Sequence, residues 1–234
     1  IALVASLLAM FMVPETLPAH VRVEARQQKV KRGSRVKKAK DLSFVGLIWL
    51  FAPFLIIDFG LIFTYPFVFP QYPFFFEKVL QYSTAQYGMI ISVYGLALAV
   101  FPVFLGRLSE NLPKKPLIVV GSLLFGALNM FMFAAPLYPL LLVGAALAGL
   151  GSAFVNPALG GIYLGATTDK NRGQVMGMRG SAISLAVMLG PLVQALVGSW
   201  ITPQTTFAIG VVLSLAMAVV AFLLLKSSRQ AGEA

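Results

Sequence analysis

Cysteine is absent from the sequence, which excludes disulfides, thiolate metal sites and cysteine nucleophiles and leaves the redox compartment open. Charge is scarce: Asp, Glu, Lys and Arg make up 11% of the residues, against about 25% in soluble domains. The single histidine, His20, lies in a basic stretch, so no buried histidine relay is available. No Gly-x-x-x-x-Gly-Lys-Ser/Thr phosphate loop occurs, which excludes ATP hydrolysis by that route. There is also no His-Glu-x-x-His helix, no Ser/His/Asp set and no pair of acids within the apolar stretches. These absences lead us to expect neither an enzyme nor a bound cofactor or metal.

Apolar side chains fill the space that charge leaves, at 59% of the 234 residues. A water-soluble core of this length cannot hide so much apolar surface, so lipid must solvate most of the chain. The net charge of +10 does not point to nucleic acid, because the charge is not spread over a face. Nine basic residues fall in one stretch, Arg22, Arg26, Lys29, Lys31, Arg32, Arg35, Lys37, Lys38 and Lys40, and most of the others stand at the ends of apolar runs. That is the pattern the positive-inside bias produces beside membrane spans.

Six apolar stretches are long enough to cross a bilayer, at 44–69, 85–105, 116–135, 138–164, 175–197 and 207–225. Residues 1–13 are apolar too but lack a basic leader and a cleavage site, so they do not form a signal peptide. At about 1.5 Å per residue they reach only about 20 Å of a roughly 30 Å hydrocarbon core. They read as the end of a truncated helix, and the chain as a fragment. The expected fold class is therefore an all-α membrane protein with six complete transmembrane helices plus a truncated first helix. Its organisation would be a helix end at 1–18, a basic cytoplasmic loop at 19–43, a six-helix domain at 44–225 and a cytoplasmic tail at 226–234.

Loops must alternate sides, which tests this count. With 22–40 placed in the cytoplasm, Arg107, Lys114, Lys115, Lys170, Arg172, Arg179, Lys226 and Arg229 fall on the same side, and Lys78 alone on the other. The alternation holds at every loop, as the positive-inside rule requires, and predicts a multi-pass protein of the plasma (inner) membrane. Small residues four apart, at Gly144/Ala148/Ser152, Ala145/Gly149, Gly161/Gly165 and Gly173/Gly177, mark places where helix backbones can approach closely in lipid.

Three local patterns carry a family resemblance. Val13-Pro14-Glu15-Thr16-Leu17-Pro18 precedes the basic stretch. Gly106-Arg107-Leu108-Ser109-Glu110-Asn111-Leu112-Pro113-Lys114-Lys115 joins the second and third spans. Arg172-Gly173, Met176-Gly177-Met178-Arg179 and Gly190-Pro191 lie in the fifth. These resemble, in order, the end of the sixth helix, the cytoplasmic signature between helices eight and nine, and the eleventh helix of major facilitator transporters. The signature departs from the family pattern at Glu110, Asn111 and Pro113. A looser likeness to the drug:proton antiporter branch rests on helix count and general look. The resemblance implies the C-terminal half of a twelve-helix bundle, from the end of helix six to helix twelve, whose N-terminal half is missing.

Within the spans Asp58 stands out. It lies near the middle of 44–69, roughly 20 Å from either surface, where a carboxylate is costly and needs a partner, a proton or a water-filled cavity. Phe51, Phe54, Ile62 and Tyr65 share its face at helical spacing, a stripe suited to an amphipathic or cationic substrate. Asp58 is a candidate for substrate or proton binding; structural hydrogen bonding, or a span shifted outward, is the alternative. Asn129 and Gln194 are further candidates, although amides often serve as glue between helices. Tyr65, Tyr72, Tyr82 and Tyr87 also fit an interfacial aromatic belt. In the signature, Gly106, Arg107, Glu110, Lys114 and Lys115 can form an ionic latch, with Glu110 capping a helix or pairing with Arg and the lysines at the headgroups. The alternative is a plain topogenic turn.

Taken together, the residues and the resemblance imply proton-coupled transport of a small molecule by alternating access, with the lipid bilayer, the substrate and protons as partners and no nucleic acid. A membrane subunit of an ATP-driven permease and a non-transporting scaffold or sensor stay open as alternatives.

Overall fold

The computed structural model describes residues 44–134, 136–167 and 171–225, with the backbone alone over 105–111. The expectations for 1–18, 19–43 and 226–234 lie outside the described residues. Six helices are long and apolar enough to cross a membrane, as the hydropathy pattern predicts. The fold class is all-α, a half-bundle of six spans.

The first span is α1 (Phe44–Val68), which carries Pro53 and Pro66 within it. It does not stop at 69: α2 (Gln71–Phe74) and a π turn (Phe75–Val79) carry it on, so the span runs Phe44–Val79. Gln81, at φ 54°, reverses the chain, and the Tyr82 N–H donates to the Phe76 carbonyl at 2.9 Å. That bond closes the helix with a left-handed cap of the kind glycine usually supplies. Ser83 and Gln86 then form a capping box that opens α3 (Thr84–Asn111).

α3 continues through residues expected to lie in a loop. Gly106, Arg107 and Glu110 occupy its last turns, and only Leu112 and Pro113 connect it to α4 (Lys114–Phe125), whose N-cap is Pro113. The side chains of Gly106, Arg107 and Glu110 lie outside the described residues. The third span is α4 followed by α5 (Ala127–Ala134), interrupted at Gly126, where the chain passes so close to the last span that an added Cβ would lie 2.9 Å from Ser214 Cβ. α6 (Tyr138–Ala166), α7 (Arg172–Val197) and α8 (Pro203–Leu224) complete the bundle.

α6 packs against α3, α4 and α5; α8 packs against α1, α4 and α5; α1 packs along α7. Buried apolar residues gather in two layers. One, with Leu47, Phe51, Leu117 and Tyr163, lies toward the end that carries Lys114, Lys115 and Arg172, hereafter the basic end. The other, with Tyr72, Phe75, Phe76 and Phe207, lies toward the opposite end. Asp58 stands between Ile57 and Leu61 of the first layer, nearer the basic end than its place in 44–69 implies, because the span is longer at the other end.

In lipid, packing rather than hydrophobicity joins helices, and glycine provides it where α6 meets α4. A Cβ on Gly151 would lie 2.5 Å from both the Gly121 carbonyl oxygen and the Phe125 nitrogen, and one on Gly149 would lie 2.6 Å from the Tyr94 carbonyl oxygen. The spacing around Gly144 and Gly149 thus marks true contacts. Gly165, Gly173 and Gly177 meet no neighbour within 4 Å among the described residues. Gly151→Ala is expected to lower stability by about 2 kcal/mol, since its methyl would press on backbone. Gly95→Ala, with open space around it, should keep or raise stability. Thermal unfolding of both variants in detergent checks this, and equal midpoints would contradict the close α4–α6 packing.

Candidate functional site

Asp58 is buried, and its partner is a residue the sequence reading placed with the loop cations. Arg179, two turns into α7, donates from Nε to Asp58 Oδ2 at 2.9 Å and from Nη2 to Oδ1 at 3.2 Å. The planar fork of the guanidinium suits two parallel bonds to one carboxylate, which a lysine cannot make. α1 and α7 pack along each other, and farther along, toward the opposite end, a Cβ on Gly190 would lie 2.8 Å from the Phe67 nitrogen. The two charges differ in access, with the Asp58 side chain 3% exposed and that of Arg179 19%.

Aromatic rings wall the pair. The guanidinium lies 5.0 Å from the Tyr163 ring centre, a cation–π contact from α6. Phe51 stacks on Tyr163 at 5.5 Å, and Phe54 meets it edge-on at 6.1 Å. The Tyr163 hydroxyl is fully buried beside the pair, set against the Asp58 carboxylate and close enough to feel both charges. Three helices therefore converge on one neutralised charge pair.

The other sequence candidates divide. Phe54 belongs with Asp58 through Tyr163. Tyr65, on the same face of α1 but two turns on, belongs to a different niche, where its ring stacks on Tyr94 at 6.1 Å and 10°. There the Tyr72 hydroxyl donates to Asn129 Oδ1 at 2.7 Å, and the Tyr94 and Ser152 hydroxyls are 3.2 Å apart. Tyr65, Tyr72, Tyr94 and Asn129 border a cavity of about 20 Å³, room for a single water. Tyr72 is 3% exposed and so is not part of an interfacial belt. Gln194 joins neither group: it is buried on α7, and among the described residues neither atom of its amide has a hydrogen-bond partner.

At the basic end the lysine pair is held by neighbouring helices. Lys115 Nζ sits 4.6 Å from the Phe222 ring centre of α8, and Lys114 Nζ lies against Gly161 of α6, 3.0 Å from where a Cβ would be. Among the described residues no group of three His, Cys, Asp or Glu could hold a metal ion.

The sequence model of the major facilitator superfamily matches residues 67–234. The chain belongs to that superfamily. Multidrug resistance protein MdtL of Shigella flexneri serotype 5b is 26% identical over 184 residues, covering 77% of this chain and 47% of the relative. Multidrug resistance protein 2 of Bacillus subtilis is 25% identical over 116 residues, covering 50% of this chain and 29% of the relative. A crystal structure of the peptide transporter POT in complex with sulfate superposes with a TM-score of 0.65 at 19% identity, over 73% of this chain and 36% of that one, a likeness of fold. The chain spans about half the length of the MdtL relatives it matches. As a major facilitator protein with six spans it is a multi-pass membrane protein.

The charge pair of this superfamily member yields a stability prediction. Removing one partner of a buried pair strands the other charge and costs about 3 kcal/mol or more. Arg179→Gln is expected to destabilise by that order, because Asp58 is sealed. Its deficit should narrow as pH falls, since a proton can then neutralise the stranded carboxylate. Asp58→Asn should cost less, because Arg179 reaches the surface, and the double variant should recover most of what Arg179→Gln loses. Unfolding midpoints of the four proteins across pH check this. A double variant no better than Arg179→Gln would contradict a stranded charge.

Proposed function

We propose that the chain forms half of a secondary transporter that moves a small molecule by alternating access, with proton coupling at Asp58. The observation that carries this reading is the Asp58–Arg179 pair, which ties α1 to α7 through charges in an apolar layer. Such a pair is neutral as a unit, so it tolerates burial only while both charges are present. A proton on Asp58, or a charged ligand at either partner, unbalances it and weakens the α1–α7 tie. Binding is thereby linked to the relative position of two spans, which alternating access requires.

The relatives named multidrug resistance proteins in Shigella flexneri and Bacillus subtilis support export of small molecules, and the aromatic wall of Phe51, Phe54 and Tyr163 suits a ligand with an apolar body. The rest of the cavity wall is proposed to come from the part of the relatives that lies outside the matched region. Lipid, the transported molecule and protons are the proposed partners. The proposed site is the inner membrane, with the basic end in the cytoplasm, as the distribution of Lys and Arg favours. Gly106, Arg107 and Glu110 at the end of α3 remain candidates for a latch that acts on turnover.

Asp58→Asn keeps the size of the side chain and removes its titration. In the intact protein, reconstituted in vesicles with an imposed proton gradient, this variant should insert normally and lose pH-dependent transport. Superimposed rate–pH curves for Asp58→Asn and wild type would exclude Asp58 as the coupling site.

A further inference from the structure

The two lysines that open α4 turn to different neighbours. Lys114 reaches toward α6, with Nζ 3.0 Å from where a Cβ on Gly161 would be. Lys115 reaches toward α8, with Nζ 4.6 Å from the Phe222 ring centre. That ring is 60% exposed, so Lys115 is held on the outer surface of the bundle, where α4 packs on α8. A ring face engages only part of the ammonium and leaves further N–H donors to an anion. Among the described residues no acid takes them. The acids with described side chains are Asp58, engaged by Arg179, and Glu77, in the π turn at the opposite end.

From Lys115 toward the membrane interior this surface is apolar. Val120, Leu123 and Met130 are exposed on the third span, and Val212, Val219 and Phe222 on the last. The glycines of the third span face inward: a Cβ on Gly121 would meet Val155 and Gly151 of α6, and one on Gly126 would meet Ser214 of α8. A helix docking from the bilayer needs small residues at its contact, and this surface exposes large ones. Acyl chains, which conform to ridges of any shape, need none. The described charge at the edge of the surface is positive, so the group that heads the chains carries negative charge.

We infer that the cleft between α4 and α8 at the basic end binds an anionic phospholipid, with its phosphate on Lys115 and its acyl chains along the two spans. Phe222 fixes the ammonium beside the cleft, and Lys115 supplies the charge. Lys114, turned against α6, adds only to the general field. The site uses neither Asp58 nor Arg179 and does not depend on the transporter reading.

The test uses the purified, intact protein, with bound lipid counted by native mass spectrometry. The probes are phosphatidylglycerol and phosphatidylcholine with the same palmitoyl and oleoyl chains, so the apolar match is equal and the headgroup alone differs. Phosphatidylglycerol is expected to bind about fivefold tighter, the factor that one lysine near the membrane surface supplies toward an anionic lipid. Lys115→Gln should remove most of that preference, and Lys114→Gln should remove less. Phe222→Leu keeps the charge and the apolar surface, and should lower the preference about twofold by freeing the ammonium from its ring. No preference in wild type would overturn the site. So would equal losses in the two lysine variants with none in Phe222→Leu, which is the pattern of diffuse attraction to the basic end. Glycerol 3-phosphate should not displace phosphatidylglycerol; displacement at equal concentration would assign the site to a free phosphate and overturn the lipid.

Discussion

The sealed carboxylate of Asp58 could not stay charged in its apolar layer without Arg179, and much of the site follows from that constraint. Desolvating two ions costs several kcal/mol each, which is offset only by good geometry and by hydrogen bonds to the remaining lone pairs and protons. The side-on fork at 2.9 and 3.2 Å meets the first requirement. Tyr163 meets part of the second by facing the guanidinium with its ring. The pair contributes little net stability, yet it makes the α1–α7 contact sensitive to charge, a property that an apolar contact lacks.

Elsewhere the bundle is held by means insensitive to charge. Where α6 crosses α4 and α3, glycine lets backbone meet backbone. At the opposite end, Tyr72, Phe75 and Phe207 interlock, with the Tyr72 and Phe75 ring centres 5.8 and 4.8 Å from that of Phe207. The hydroxyls of Thr64, Ser122 and Ser214 bond carbonyls one turn back on their own helices, whereas that of Ser152 does so and also meets the Tyr94 hydroxyl of α3. Among the described residues the half-bundle thus combines glycine-packed and aromatic contacts with one contact, between α1 and α7, that carries an ion pair.

Hydropathy made the six spans legible because lipid admits only long apolar helices here, but it reads polarity and not hydrogen bonding. The helix continued wherever backbone bonds could continue: past 69 through the π turn, and past 105 to Asn111. The interruption at Gly126 was illegible because Ser214, which crowds it, lies on a helix far away in sequence. Asp58 was legible by rarity. Arg179 was not, because an arginine near the start of a span looks topogenic and its partner lies 121 residues away. One available signal was that an arginine two turns inside a helix needs a counter-charge, and Asp58 is the one acid deep within a span. Tyr65 was grouped with Asp58 because they share a face. Two turns separate them by about 10 Å, and a different neighbour, α3, stands opposite.

The central claim is the proposal that Asp58 and Arg179 hold each other as an ion pair across α1 and α7, and that a proton replaces Arg179 when the pair is broken. Infrared difference spectroscopy of the intact protein reads this directly through the stretch of a protonated carboxyl group, assigned by its loss in Asp58→Asn. The account predicts no such band for Asp58 in resting wild type at neutral pH, and its appearance there in Arg179→Gln. A protonated Asp58 band in resting wild type, unchanged in Arg179→Gln, would contradict it.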